Sequence, residues 1–204
     1  MRFVLRFFGF VFSIGALLLL IGAAAVAVFL QSYNRDLPDH AALANYEPPV
    51  MSRVHAADGS LLAEYANERR LYLPIQAMPK IVVAAFLSAE DKNFYKHGGI
   101  DPEGVVRAVL TNAKSGKKQG ASTITQQVAK NFLLTNEQTL DRKIKEALIA
   151  LKIESTYSKD KILELYLNEI FLGTIVPGRN LHGVAAAALD YFGKSVHELT
   201  INEA

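Results

Sequence analysis

The chain has 204 residues, half of them hydrophobic, with a formal charge of +2 and an isoelectric point near 8.7. That length holds one domain with a sizeable core, not two large ones, and the mild basic excess does not point to nucleic acid. With no cysteine there is neither a disulfide framework nor a thiolate metal site, and the five histidines fall in no HExxH or paired spacing that would hold zinc.

From Phe7 to Leu30 the run FFGFVFSIGALLLLIGAAAVAVFL carries no charge. A bilayer core needs about 20 apolar residues in helical form, so this run is long enough to span it. Arg2 and Arg6 flank its N-terminal side, which assigns that end to the cytoplasm and the bulk of the chain to the outer face. A cleaved signal peptide is the rival reading, with Ala23 to Ala25 as the cleavage site, but its apolar core is only about 7–15 residues long. Residues 1–30 are therefore read as a cytoplasmic tip and retained transmembrane signal-anchor. Residues 31–50 are polar and broken by Pro38, Pro48 and Pro49. In SRVHAADGSLLAEY, Asp58-Gly59 between two alternating stretches predicts a β-hairpin. Residues 31–72 make a linker and hairpin pedestal, and 73–204 the main domain.

Pro79 opens a predicted helix, PKIVVAAFLSAE, with Ile81, Ala84, Ala85 and Ser88 on one face. The stretch AEDKNFYKHGGID follows. It puts Glu90 and Asp91 together at the negative end of the helix dipole, then an aromatic pair, His97, two glycines and Asp101. A solvated Glu-Asp pair on a loop is the commoner fate of such carboxylates; the density of polar and turn-forming residues favours a site. KSGKKQGA is a basic, glycine-containing loop leading into STITQQVAKNF, where Thr123 and Gln126 fit a capping box. Free N–H groups at that helix start suit an anion, with Lys130 two turns along; an ordinary capped helix after a solvated loop fits equally well.

In DRKIKEALIALKIES, Ile144, Leu148 and Leu151 cluster on one side, with Arg142, Lys143 and Glu146 roughly opposite. The bland reading is a solvated face with intrahelical pairs worth about 0.3–0.5 kcal/mol each; the functional reading gives Glu90 a partner carboxylate. Ser158 predicts the N-cap of KDKILELYLNEIFLG, whose polar members are Glu164, Tyr166 and Asn168. GVAAAALDYFGK predicts a helix of small residues for close packing.

Taken in order, EDKNFYKHGGID, GASTITQQVAKN, RKIKE, KILELYLN and GVAAAALDYFGK resemble the motifs of the peptidoglycan glycosyltransferase domain found in class A penicillin-binding proteins and monofunctional glycosyltransferases. The resemblance covers Ala89 to Lys194. It implies a mainly α, lysozyme-like domain with a small β-hairpin, a membrane-touching jaw and the N-terminal transmembrane helix, on the outer face of the bacterial inner membrane. The implied substrates are lipid II and the growing glycan strand, joined by inverting β-1,4 transfer with loss of undecaprenyl diphosphate. By resemblance Glu90 is the base on the acceptor hydroxyl, and Glu146 assists at the donor or orients the site. Lys130, Arg142 and Lys143 hold the diphosphate, with Gln127, Asn131 and Tyr166 lining the donor pocket. Asp91 and His97 shape the first motif. Magnesium is the divalent ion implied, although no cluster of oxygen ligands in the sequence requires it, and partner proteins of cell-wall synthesis are implied as well.

The pattern departs in two places. TIVPGRNLH between Gly173 and Gly183 is longer than the family's usual link, and His182 stands where tyrosine is common. The chain also stops at LTINEA, which reads as a C-terminally incomplete domain and as the N-terminal part of a bifunctional penicillin-binding protein. A monofunctional glycosyltransferase, a membrane-anchored lysozyme-like hydrolase and a non-catalytic membrane scaffold are the alternatives. Ser115-Gly116-Lys117-Lys118 matches SxxK by spacing alone, without the partner motifs that an acyl-transfer site needs.

Overall fold

The computed structural model describes residues 2–35, 37–44, 46, 52–65, 68–115, 120–134, 137, 139–176 and 179–204. Pro48 and Pro49 of the linker, residues 116–119 of the basic loop with the SxxK lysine, and 177–178 of the long link lie outside them. The chain divides into two compact units, Met1–Pro38 and Asp39–Ala204.

In the first unit, α1 (Arg2–Arg35) is one continuous helix. Its stretch Arg6–Tyr33 has a mean hydropathy of 2.6 and is long and apolar enough to cross a membrane. Large side chains around its circumference, Phe7, Phe12, Leu19 and Val28 among them, are all exposed, as suits a helix solvated by lipid rather than by a protein core.

The second unit is mainly helical: α2 (Lys80–Glu90), α3 (Pro102–Ser115), α4 (Ile124–Leu133), α5 (Leu140–Thr156), α6 (Lys159–Glu169) and α7 (Val184–Phe192). Its centre is α6, buried on all sides from Ile162 to Asn168. A helix wetted on one face would not bury seven consecutive residues; this one does because α4, α5, α7 and the 70–77 segment surround it. Its two buried polar groups tie that segment down. Asn168 accepts from the Leu73 N–H and donates to the Leu73 carbonyl, both at 2.8 Å. Glu164 accepts from the Ile75 N–H at 3.0 Å and from the Tyr72 hydroxyl at 2.5 Å. Burial and the carboxylate together push the Tyr72 hydroxyl up to about 12. Arg70 forks onto Glu169, with Nη2 donating to Oε1 at 2.9 Å, and its Nη1 also donates to the Tyr46 hydroxyl at 2.7 Å.

The predicted caps are present. Thr123 and Gln126 form the reciprocal box at α4, and the Ser158 hydroxyl accepts from the Lys161 N–H at the start of α6. The Asp58-Gly59 turn joins β1 (Ser52–His55) to β2 (Leu61–Tyr65) as an antiparallel hairpin. The long link contains a second hairpin that the sequence did not announce, β4 (Phe171–Val176) with β5 (Arg179–His182). β5 also pairs in parallel with β3 (Glu68–Arg70), giving the order β3-β5-β4. His182 stands within hydrogen-bond reach of the Glu169 carbonyl, Nδ1 at 3.0 Å, so it helps close the C-terminal end of α6.

Two helix faces differ from the periodicity. α5 buries Glu146, Ile149, Ala150 and Ile153, while Leu151 is exposed. The inward face carries the carboxylate because two cations of its own preceding turn accompany it. On α2 Val82 is the buried residue and Ala84 and Ser88 are exposed, so the face read from Ile81, Ala84, Ala85 and Ser88 is not the core face.

Candidate active site

The two neighbouring carboxylates at the end of α2 point in opposite directions. Glu90 ends the helix and is exposed; Asp91 takes φ −155° and ψ 73°, turns inward and is 6% exposed. Asp91 accepts from the backbone N–H of Ile124, the first residue of α4, at 3.0 Å, and both its oxygens lie 3.0 Å from His97 Nε2. The Gly99 N–H donates to His97 Nδ1 at 3.2 Å, so hydrogen bonding puts the ring proton on Nε2, where it serves Asp91. The Gly99 carbonyl accepts from the Thr123 hydroxyl at 2.6 Å. Lys159 donates to the His97 carbonyl and to Glu154, both at 2.7 Å, and lies 4.3 Å over the Phe94 ring. These bonds fix the turn after Glu90 to the start of α4 and to α5 and α6. Asp101, ahead of α3, belongs to the same turn. Burial works to raise its carboxyl, but the Gly104 N–H and the Asn93 amide hold it below the usual carboxylate range.

Gly99 cannot be replaced without moving this scaffold. It sits at φ +101°, and a Cβ there would lie 2.9 Å from the Ala150 carbonyl oxygen. Gly99→Ala is expected to lose at least about 2 kcal/mol of stability by urea unfolding. An unchanged unfolding midpoint would show that the turn can reshape at no cost.

Across from Glu90, α4 presents Gln127 and Lys130 and α5 presents Arg142, Lys143 and Glu146. Together with Ala89, Gly120 and Ser122 they line a cleft of about 490 Å³. Gln127 Nε2 donates to Glu90 Oε2 at 2.9 Å. Glu146, 2% exposed, pairs with Lys143 and accepts from Arg142 Nη1 at 3.3 Å; Lys143 also donates to the Ser122 hydroxyl at 2.8 Å. Three cations thus meet two carboxylates in one cleft, and the Arg142 Nε is buried without a partner among the described residues. Such a surplus of fixed donors and positive charge fits a phosphate-bearing ligand. A second cavity of about 260 Å³ shares Ala89, Glu90, Gly120 and Ser122 with the first and is also lined by Lys92, Asp101 and Arg107. Glu90 therefore stands on the ridge between two cavities, where a base between donor and acceptor groups would be placed.

Of the residues singled out in the sequence, Glu90, Gln127, Lys130, Arg142, Lys143 and Glu146 come together in the cleft. Asp91 lines the second cavity and, with His97, supports the turn behind the cleft. Asn131 is exposed beside Lys130 on α4 and does not line either cavity. Tyr166 does not line the cleft: it is 1% exposed in the core, edge-on to Phe86 with ring centroids 6.1 Å apart. Ser122, Lys92 and Arg107 went unmarked. Arg107 interrupts the apolar run VVRAVL, a signal equally typical of any exposed helix. Among the described residues no three histidine, aspartate or glutamate side chains converge as a metal cage.

The family model described as transglycosylase matches residues 58–204. Penicillin-binding protein 1A of Rickettsia felis is 50% identical over 198 residues, covering 95% of this chain and 24% of that protein. The protein of the same name from Aquifex aeolicus is 49% identical over 178 residues, with 87% and 24% covered, and that from Escherichia coli is 45% identical over 186 residues, with 91% and 21% covered. The chain spans about a quarter of the length of these curated relatives. The family model over residues 58–204 and relatives covering 87–95% of the chain agree on one ancestry, and the cleft holds Glu90, Lys130, Arg142, Lys143 and Glu146 from the first three of the ordered motifs: the chain belongs to the transglycosylase family.

Proposed function

We propose that the chain is a membrane-anchored peptidoglycan glycosyltransferase that polymerises lipid II, the polymerising part of a bifunctional penicillin-binding protein. The observation that carries this reading is the exposed Glu90 carboxylate facing Lys130, Arg142 and Lys143 across a single cleft. Glu90 takes the proton from the acceptor 4-hydroxyl as that oxygen attacks the anomeric carbon of the donor. The bond from that carbon to the lipid diphosphate breaks on the opposite side, so an α-linked donor becomes a β-1,4 product. Negative charge grows on the departing diphosphate, where Arg142 and Lys143 are already held by Glu146 and Lys130 lines the same cleft. Glu146 keeps Arg142 and Lys143 aimed into the cleft. The divalent ion implied by the resemblance, magnesium, would share the charge of the diphosphate in this cleft, beside Lys130, Arg142 and Lys143. Arg2 and Arg6 favour a cytoplasmic N-terminus, with the catalytic unit on the outer face of the inner membrane, where proteins of cell-wall synthesis are the partners to seek.

Incubation with lipid II and, separately, with finished glycan tests the reading. Lengthening of the first without cleavage of the second is the expected result; cleavage alone would make the chain a hydrolase, and no turnover of either would favour a scaffold. Lys130 is exposed, so Lys130→Glu is expected to leave the fold unchanged and to weaken donor binding by at least about tenfold, the scale of one hydrogen bond to a charged group. Parent-like donor affinity would remove Lys130 from the diphosphate site.

A further inference from the structure

Tyr166 poses a problem that the proposed chemistry does not use. Its hydroxyl is fully buried at the centre of the unit, yet it has no hydrogen-bond partner among the described residues. Buried donors without partners cost free energy, and each one calls for an explanation. The ring packs edge-on against Phe86, which lies on α2 one turn before Glu90 and on the same face. The ring that bears the hydroxyl therefore packs against α2, the helix that ends in Glu90. Burial, and after it the charges of Glu90 and Asp91, push its ionisation upward, so both carboxylates bear on it.

The two carboxylates are not equally able to receive its proton. Asp91 is engaged at both oxygens by His97 and at one by the Ile124 N–H. Among the described residues Glu90 has one side-chain donor, Gln127 at Oε2, and it stands exposed at a helix end. Hydrogen bonds to catalytic groups are often unmade before substrate arrives and form in the loaded enzyme. We infer that Tyr166 is a positioning residue: its hydroxyl donates to the Glu90 carboxylate once substrate fills the cleft, fixing one oxygen while Gln127 holds the other. This rests on Glu90 being the base.

Tyr166→Phe removes only the hydroxyl. In the full chain assayed with lipid II, the expected result is a thermal midpoint equal to or above the parent's, because an unsatisfied donor is gone. Turnover falls about tenfold or more, the scale of a hydrogen bond to a charged group, while KM stays within about twofold, since the contact is made to the base and not to substrate. Gln127→Ala combined with Tyr166→Phe falls by less or more than the product of the single losses, because both act on one carboxylate. Parent-like turnover, strictly multiplicative losses, or a fall in thermal midpoint that accompanies the fall in turnover would each overturn the inference. Glu90→Gln in the same assay separates the two levels. An inactive Glu90→Gln beside a parent-like Tyr166→Phe defeats the Tyr166 role alone, whereas an active Glu90→Gln defeats both.

Discussion

Glu90→Gln is expected to cut glycan formation from lipid II by at least about 10²-fold, and up to about 10⁴-fold, the range that a positioned general base contributes. The substitution keeps the volume and an amide oxygen that can still accept from Gln127, as the Glu90 carboxylate does at 2.9 Å. It removes only the capacity to take a proton. Because Glu90 is exposed and ends its helix, the fold has little stake in its charge. The circular dichroism spectrum and the thermal midpoint should therefore match the parent's, and donor affinity should remain. Asp91→Asn makes the contrast. That neighbour holds the Ile124 N–H and His97, so its loss should lower stability before it touches chemistry. A Glu90→Gln chain that still polymerised at a tenth of the parent rate would exclude Glu90 as the base.

The outcome turns on a distinction that the sequence did not contain. Glu90 and Asp91 are adjacent and chemically alike, and only the backbone turn at Asp91 sends one into the cleft and the other into the scaffold. Features that depend on a few neighbouring residues were legible. The Thr123–Gln126 box, the Ser158 cap and the Asp58-Gly59 hairpin all follow from local hydrogen-bond chemistry. So was the assembly of Gln127, Lys130, Arg142, Lys143 and Glu146, through the ordered motifs rather than through periodicity. What depended on distant partners was not. β5 is a strand because β3, more than 100 residues earlier, supplies its second edge. The polar members of α6, Glu164 and Asn168, look like a wet face until the 72–75 segment is laid against them. Tyr166 occupies the same helix, and because α6 is buried on all sides its polar tip lies in the core and not in the cleft.

The second glutamate of the cleft is expected to behave differently from the first. Glu146 is 2% exposed and lies between Arg142 and Lys143, whose side chains are 16% and 44% exposed. Neutralising it as Glu146→Gln strands both cations. Breaking a fully buried pair costs about 3–5 kcal/mol, and an exposed pair about 0.2–1 kcal/mol. With one partner mostly buried and the other half open to the cleft, the expected loss is about 2 kcal/mol, a fall in thermal midpoint of about 4–8 °C for a unit of this size. Turnover should drop with it, because Arg142 and Lys143 are no longer held in the fixed geometry that meets the charge growing on the leaving diphosphate. Donor affinity should change little, since the same cations, freed from the carboxylate, still attract the anion. Glu146→Asp, which keeps the charge on a shorter arm, should recover part of both losses. The pair of measurements therefore separates the roles. Glu90→Gln loses turnover at full stability, and Glu146→Gln loses both together. A Glu146→Gln chain as stable as the parent but inactive would instead make Glu146 a participant in the transfer itself.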